Sequence, residues 1–200
     1  MQNLLMDIIA KFGWPAIVAS SMLAVKVFVL EGYMRRGKEQ KAPLRGELDR
    51  RSRTLNGVAF AAALLSPSMT YFGIGKLLFG TAIVAWCGLF TFCFGIAIRQ
   101  WSIVTLGMFY TRALMIASNH RLVRGGPYKV VRHPGYLGNI MTWTGFGFTF
   151  SWIGGVIILL AMSAAYVYRI RAEESMLLEA FGKQYQQYMM TTKKLIPYIY

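Results

Sequence analysis

The run LGNIMTWTGFGFTFSWIGGVIILLAMSAAYVY, from Leu137 to Tyr168, contains no charged residue and decides the fold of this chain. A single helix crosses a hydrocarbon core of about 30 Å with about 20 apolar residues, so this run is too long for one unkinked crossing. Ser151, Gly154 and Gly155 interrupt it near its middle. The run therefore predicts a helical hairpin in a membrane, with helices at 137–150 and 156–173.

The composition of the whole chain also indicates a membrane protein. Of its 200 residues, 56% are hydrophobic and only 15% are charged, which is far from the average of soluble domains. The net charge of +14 suggests nucleic-acid binding at first sight, but most segments are too apolar to carry a basic, water-facing surface. We therefore predict a protein surrounded by membrane lipids, with no nucleic-acid partner.

Three further apolar runs bring the predicted number of membrane crossings to about five. They lie at 14–30, 55–72 and 77–98, and with the hairpin they predict an all-α, polytopic membrane helix bundle made of one domain, residues 1–200. All but three of the 22 Lys and Arg residues then fall on one side of the membrane, in the segments there or at the helix end that borders it, and the positive-inside rule assigns that side to the cytoplasm. This predicts an N-terminus outside, a C-terminus inside, and a cytosolic-side pocket formed by 99–136 and 174–200.

Rare polar residues are concentrated on the predicted cytosolic side. The two histidines, His120 and His133, both lie in HRLVRGGPYKVVRHPGYLG, which begins at His120, and RIRAEE begins at Arg169 after the apolar hairpin. Arg169 and Glu173 share a helical face because they are four residues apart. Each group also has a purely structural interpretation: an interfacial salt bridge for the pair, and a bond to a carbonyl or a lipid phosphate for each histidine. Their convergence on one side of the membrane favours a binding pocket instead.

Several common active-site patterns are missing from the sequence. No Walker loop, no G-x-G-x-x-G after a strand, no H-E-x-x-H and no G-x-S-x-G is present. Cys87 and Cys93 lie in an apolar segment without His, Asp or Glu close to them in sequence, so we predict no metal site. Soluble hydrolase and nucleotide-phosphate chemistry are therefore disfavoured.

Four blocks of the chain, taken in order, resemble a known superfamily. They are HRLVRGGPY (120–128), RHPGYLG (132–138), RIRAEE (169–174) and FGKQYQQY (181–188), and an IP pair follows them. This order is similar to that of the isoprenylcysteine carboxyl methyltransferase and phospholipid methyltransferase superfamily of integral membrane enzymes. The resemblance implies a membrane methyltransferase that binds S-adenosyl-L-methionine at the cytosolic interface and takes a lipophilic acceptor from the bilayer.

The resemblance also implies roles for individual residues. Arg169 stands where the carboxyl methyltransferases place an arginine at the acceptor group, so it is predicted to be both catalytic and substrate-binding. Glu173 is predicted to be catalytic and to contact the cofactor from the last membrane helix. The remaining residues predicted to enclose the cofactor are His120, Arg121, Leu122, Val123, Tyr128, His133, Pro134, Gly135 and Tyr136.

The predicted reaction is methylation of a carboxylate on a membrane-embedded acceptor, as in prenylcysteine carboxyl methylation. A carboxylate needs only orientation, which a fixed guanidinium supplies, whereas an amine acceptor would have to arrive unprotonated. Three alternatives remain open: a phospholipid N-methyltransferase, an NADPH-dependent membrane reductase, and a membrane scaffold without enzymatic activity. The compact length favours a prokaryotic inner membrane, and the sequence gives no oligomeric state.

One part of the chain departs from the prenylcysteine-specific pattern. After RHPGYLG, members with that specificity tend to carry bulky aromatic residues, whereas this chain has Asn139 and Thr142, with Trp143 displaced by one position. The departure bears on the predicted prenyl substrate and leaves the cofactor prediction unchanged.

Overall fold

The computed structural model describes residues 2–25, 57, 61, 65–75, 81–110 and 122–196. Within these ranges the chain is helical, and its only β-pairing is an isolated parallel bridge between Val131 and Lys193. The principal helices are α1 (Gln2–Val25), α2 (Thr81–Leu106), α3 (Pro134–Phe150), α4 (Trp152–Phe181) and α5 (Lys183–Thr191).

Helices α3 and α4 form the helical hairpin expected from the apolar run, with different boundaries. The two helices are separated by Ser151 alone, whose side chain accepts a hydrogen bond from the amide of Gly154 at 3.3 Å and so caps α4. Helix α3 begins three residues earlier than predicted because Pro134 suits the first helical position. Helix α4 continues eight residues past position 173 and ends where Gly182 adopts a φ of 50°.

Helix α2 also exceeds its predicted range of 77–98. The predicted end at position 98 is wrong, because the helix continues to Leu106. The polar and aromatic residues after position 98 change the character of the surface but do not break a helix. The break comes at Gly107, which has a φ of 54°.

The N-terminal predictions are met only in part. Helix α1 (Gln2–Val25) contains residues 14–25 of the predicted helix 14–30 but begins earlier, and it is kinked at Gly13, whose φ is 77°. Residues 26–30 lie outside the described residues. Of the predicted helix 55–72, residues 65–71 are helical, and most of the remainder lies outside the described residues.

Closely packed glycines join α2 to α3. A Cβ atom on Gly145 would lie 2.4 Å from the backbone nitrogen of Phe92, and one on Gly95 would lie 2.5 Å from that of Thr142. Only glycine allows the two backbones to approach so closely. The contact holds the end of α2 against the start of α3, which is where the polar residues of the chain gather.

Two of the described helices, α2 and α4, are long and apolar enough to cross a membrane, and Phe12–Val25 is a shorter apolar helix. Large apolar side chains on α2, among them Phe90 and Val104, are more than two-thirds exposed. A water-soluble protein rarely exposes so much apolar surface on one helix, whereas a lipid environment covers it. The number of crossings beyond these two helices stays a prediction.

Candidate active site

The RHPGY segment forms the turn that leads into α3 and places two rings side by side. The carbonyl of His133 accepts hydrogen bonds from the amides of Tyr136 and Leu137, at 3.1 Å each. The imidazole of His133 stacks on the Tyr136 ring, with 5.6 Å between the centroids and 10° between the planes. The turn therefore fixes both rings relative to the start of the helix.

The Tyr136 hydroxyl joins two charged residues of α4. It accepts a hydrogen bond from Nε of Arg169 at 2.9 Å and donates one to Oε2 of Glu173. The guanidinium carbon of Arg169 also lies 5.7 Å from the centre of the Tyr136 ring. A single phenol thus holds a buried cation and a partly exposed carboxylate in fixed positions.

His133 lies between two carboxylates. Its Nδ1 is 4.0 Å from Oε2 of Glu173, and its Nε2 is 3.4 Å from Oε1 of Glu174. The side chains of His133 and Glu174 are both almost fully buried. The imidazole therefore connects the Tyr136 and Glu173 arrangement to a second charged cluster centred on Glu174.

That second cluster was missed by the sequence analysis. Oε1 of Glu174 pairs with Nε of Arg132 at 2.8 Å, and Oε2 lies 3.4 Å from Nζ of Lys194. Arg132 also donates to the backbone carbonyls of Met189, at 3.2 Å, and Thr192. A buried ion pair with this many additional hydrogen bonds connects the end of α5 to the RHPGY turn.

Backbone hydrogen bonds join the segment after α5 to the RHPGY turn. The amide of Arg132 donates to the carbonyl of Lys193 at 2.8 Å, and the amide of His133 donates to that of Lys194 at 3.0 Å. The hydroxyl of Tyr188 donates to the carbonyl of Tyr128 at 2.6 Å. Burial raises the pKa of Tyr188 to about 12, so this phenol remains a hydrogen-bond donor at neutral pH.

A third group of polar residues lies on the other side of Tyr136. The rings of Tyr136 and Tyr166 stack with centroids 4.8 Å apart, and the amide of Asn139 donates to the Tyr166 hydroxyl. Arg99, near the end of α2, donates to the carbonyl of Gly135 at 3.4 Å. Arg99 is the only charged residue of the apolar helix α2. A lone charge in such a helix predicts a functional position, so the sequence did contain a signal for Arg99.

Residues from all three groups line one cavity of about 360 Å³. Eight predicted site residues line it, namely Leu122, Val123, Tyr128, His133, Gly135, Tyr136, Arg169 and Glu173. Pro134 is buried at the start of α3, and His120 and Arg121 lie outside the described residues. Lining residues that the sequence analysis did not assign to the site are Arg99, Ser102, Ile103, Leu106, Tyr110, Arg132, Tyr166, Leu177, Tyr185 and Tyr188.

The chemistry of this cavity is that of a binding site for a charged, partly aromatic molecule. It combines a carboxylate, guanidinium groups and several aromatic faces. Among the described residues, no group of three or more His, Cys, Asp or Glu residues could hold a metal ion. The arrangement suits recognition and orientation through ion pairs, hydrogen bonds and ring contacts.

Part of this chain matches a known protein family. Residues 86–179 match the model of the isoprenylcysteine carboxyl methyltransferase (ICMT) family. The superfamily resemblance carried by the sequence motifs is thereby confirmed, and the matched region includes α3, most of α2 and nearly all of α4.

Named relatives match more than half of the chain. A probable protein-S-isoprenylcysteine O-methyltransferase of Oryza sativa subsp. indica is 29% identical over 58% of this chain and 62% of its own length. The protein-S-isoprenylcysteine O-methyltransferase of Tribolium castaneum is 35% identical over 56% of this chain and 41% of its own length. The chain thus spans about three fifths or less of these relatives.

A solved structure shares the fold. The eukaryotic intramembrane Ras methyltransferase ICMT superposes with a TM-score of 0.59 and 23% identity, covering 95% of this chain and 62% of that one. The described residues have the helical architecture predicted from the sequence, and their fold is similar to that of ICMT.

Proposed function

We propose that this chain, which matches the ICMT family over residues 86–179, is an S-adenosylmethionine-dependent methyltransferase that methylates a carboxylate on a lipophilic acceptor held in the membrane. The observation that carries the proposal is the convergence of Arg169 and Glu173 on the Tyr136 hydroxyl at the wall of one cavity. The relatives described above, which are named protein-S-isoprenylcysteine O-methyltransferases, support it.

The groups lining the cavity fit S-adenosylmethionine. The cavity has a volume of about 360 Å³, which lies within the usual range of small-molecule pockets. The partly exposed carboxylate of Glu173 suits the cofactor's ammonium group, and apolar Leu122 and Val123 suit its adenine ring. The aromatic faces beside them suit a positive sulfonium, which supplies a methyl group that is already strongly electrophilic.

The acceptor would be oriented by Arg169. A carboxylate is ionised at neutral pH and needs no general base, so the protein has only to hold it in line with the methyl group. The guanidinium suits this purpose because its planar fork of N–H groups matches a carboxylate in shape and charge, and because Tyr136 fixes its Nε. Ile103 and Leu106 add an apolar wall at the end of α2 for the lipophilic part.

The membrane arrangement is part of the proposal. Five crossings with the N-terminus outside and the site near the cytosolic surface follow from the distribution of Lys and Arg. The named relatives come from a plant and an insect, so they lend no support to a prokaryotic inner membrane, and the proposal is confined to an integral membrane location.

Phospholipid N-methylation is a second candidate, favoured by one observation. Asn139 takes a position where prenylcysteine-specific members tend to carry aromatic bulk, and its amide hydrogen-bonds to the Tyr166 hydroxyl at the cavity wall. The Asn139 and Tyr166 pair makes this side of the cavity more polar than an apolar prenyl chain requires. A polar lipid headgroup would suit it better.

Two measurements on the full chain in lipid nanodiscs test the proposal. Calorimetry should detect binding of S-adenosylhomocysteine, and a radiolabelled methyl donor should label an S-prenylated N-acetylcysteine but not its carboxamide. Labelling of phosphatidylethanolamine instead would favour the second candidate. Absence of S-adenosylhomocysteine binding, or binding of NADPH in its place, would overturn the methyltransferase proposal.

A further inference from the structure

The hydroxyl group of Tyr185 has no hydrogen-bond partner among the described residues, although it is buried. The residue as a whole is 1% exposed. Buried hydroxyl groups in folded proteins nearly always have a partner, because leaving water without one destabilises the folded state. An unpaired phenol in this position therefore needs an explanation.

The location of Tyr185 supplies one. Tyr185 lines the cavity. The other buried side-chain atom without a partner among the described residues is the hydroxyl of Thr144, which does not line it. Burial raises the pKa of Tyr185, so the phenol is protonated at neutral pH and can donate or accept a hydrogen bond.

The neighbouring tyrosine of α5 shows what a purely structural phenol does here. Tyr188 is almost as buried as Tyr185 and lines the same cavity, but its hydroxyl donates to the carbonyl of Tyr128 at 2.6 Å. The two rings contact each other edge to face, with centroids 6.0 Å apart. Helix α5 thus carries two buried tyrosines at the cavity: the hydroxyl of Tyr188 bonds to the backbone, and that of Tyr185 has no partner among the described residues.

Charged groups are close to Tyr185 without pairing to its hydroxyl. Glu173, Glu174 and Arg132 all lie within electrostatic range of it. Glu174 and Arg132 pair with each other, and Arg132 also donates to the backbone carbonyl of Met189. Glu173 in turn accepts a hydrogen bond from Tyr136. All three charged groups therefore have partners of their own, and a molecule bound in the cavity would supply the partner of the Tyr185 hydroxyl.

We propose that Tyr185 is a cofactor-binding residue whose hydroxyl forms a hydrogen bond with bound S-adenosylmethionine or S-adenosylhomocysteine. The inference rests on the proposed function and adds to it a residue that the motif-based assignment of the cofactor pocket did not include. A ligand that forms a hydrogen bond with this phenol removes the unfavourable free energy of an unpaired buried hydroxyl. Its affinity rises for that reason, and because the phenol is already held in position before binding.

The test is the Tyr185→Phe variant, which removes the hydroxyl and keeps the ring. We expect its Kd for S-adenosylhomocysteine, measured by calorimetry in nanodiscs, to rise about tenfold, as is typical for a lost hydrogen bond to a polar or charged ligand group. Its ligand-free Tm should equal or exceed that of the wild type, because an unpaired buried hydroxyl is lost. Tyr188→Phe is the matched variant and should lower the ligand-free Tm.

The outcomes separate this inference from the proposed function. Wild type that binds S-adenosylhomocysteine while Tyr185→Phe binds it equally well would overturn the inference alone. A ligand-free Tm lowered as much in Tyr185→Phe as in Tyr188→Phe would also overturn it, because the hydroxyl would then have a partner within the protein. Wild type that fails to bind S-adenosylhomocysteine would overturn the proposed function and this inference together.

Discussion

Arg169 and Glu173 hold the same hydroxyl group, that of Tyr136, from one face of α4. Their spacing of four residues puts them on neighbouring turns, and the phenol of α3 lies between them as acceptor for one and donor for the other. The position of each charge therefore depends on a residue in a different helix.

Removing that phenol should uncouple the two charges. In Tyr136→Phe we expect the ring stacking with His133 to persist, while the rate of methyl transfer falls about 100-fold because the reacting groups lose their alignment. Steady-state kinetics with a radiolabelled methyl donor measures the change. Tyr71→Phe, at an exposed tyrosine, is the control, and equal loss in both variants would contradict the assignment.

Arg169 and Glu173 should affect different steps. Glu173→Gln should raise the Kd for S-adenosylhomocysteine about tenfold, because a charged hydrogen bond to the cofactor is lost. Arg169→Gln should leave that Kd within about twofold and lower kcat/KM for the acceptor about 10- to 100-fold. Calorimetry and acceptor kinetics on both variants check the separation. The same loss of cofactor affinity in both would refute it.

The buried pair of Arg132 and Glu174 should be a major contributor to stability. Each side chain is 7% exposed or less, so Glu174→Gln should cost about 3–5 kcal/mol by leaving an uncompensated buried guanidinium. Thermal unfolding in detergent measures the loss, with unfolding monitored by a fluorescence signal that does not depend on reaction with cysteine thiols. Glu179→Gln, at an exposed glutamate of the same helix, should change stability by no more than about 0.5 kcal/mol.

The glycine contact between α2 and α3 should not tolerate a methyl group. A Cβ on Gly145 would meet the backbone nitrogen of Phe92 at 2.4 Å and the carbonyl oxygen of Gly88 at 2.7 Å. Gly145→Ala should therefore destabilise the protein by about 1–3 kcal/mol through overpacking. The matched control is Gly125→Ala, where nothing lies within 4 Å. An unchanged Tm in Gly145→Ala would show that the helices can separate freely.

Much of the site was predictable because its residues lie in short, distinctive blocks. Tyr136, Arg169 and Glu173 were all identified from RHPGYLG and RIRAEE, and the cavity brings them together. Glu174 was not, because a helical projection turns it about 100° away from Glu173 and gives no partner on that side. Its partners Arg132 and Lys194 come from a turn and from the chain after α5, and no local pattern relates them.

The sequence by itself determined that the chain is an all-helical membrane protein, that its long apolar run folds back as a hairpin, and that its chemistry gathers around RHPGY and RIRAEE. These features follow from local composition, since helix length, apolar content and motif order are properties of contiguous residues. Only the tertiary structure decided that α2 continues past Arg99 into the cavity wall, and that the C-terminal segment is fastened to the RHPGY turn. It also decided that Tyr185 is left unpaired where Tyr188 is not. Those features depend on contacts between residues far apart in sequence, which burial and hydrogen bonding select only once the helices have packed.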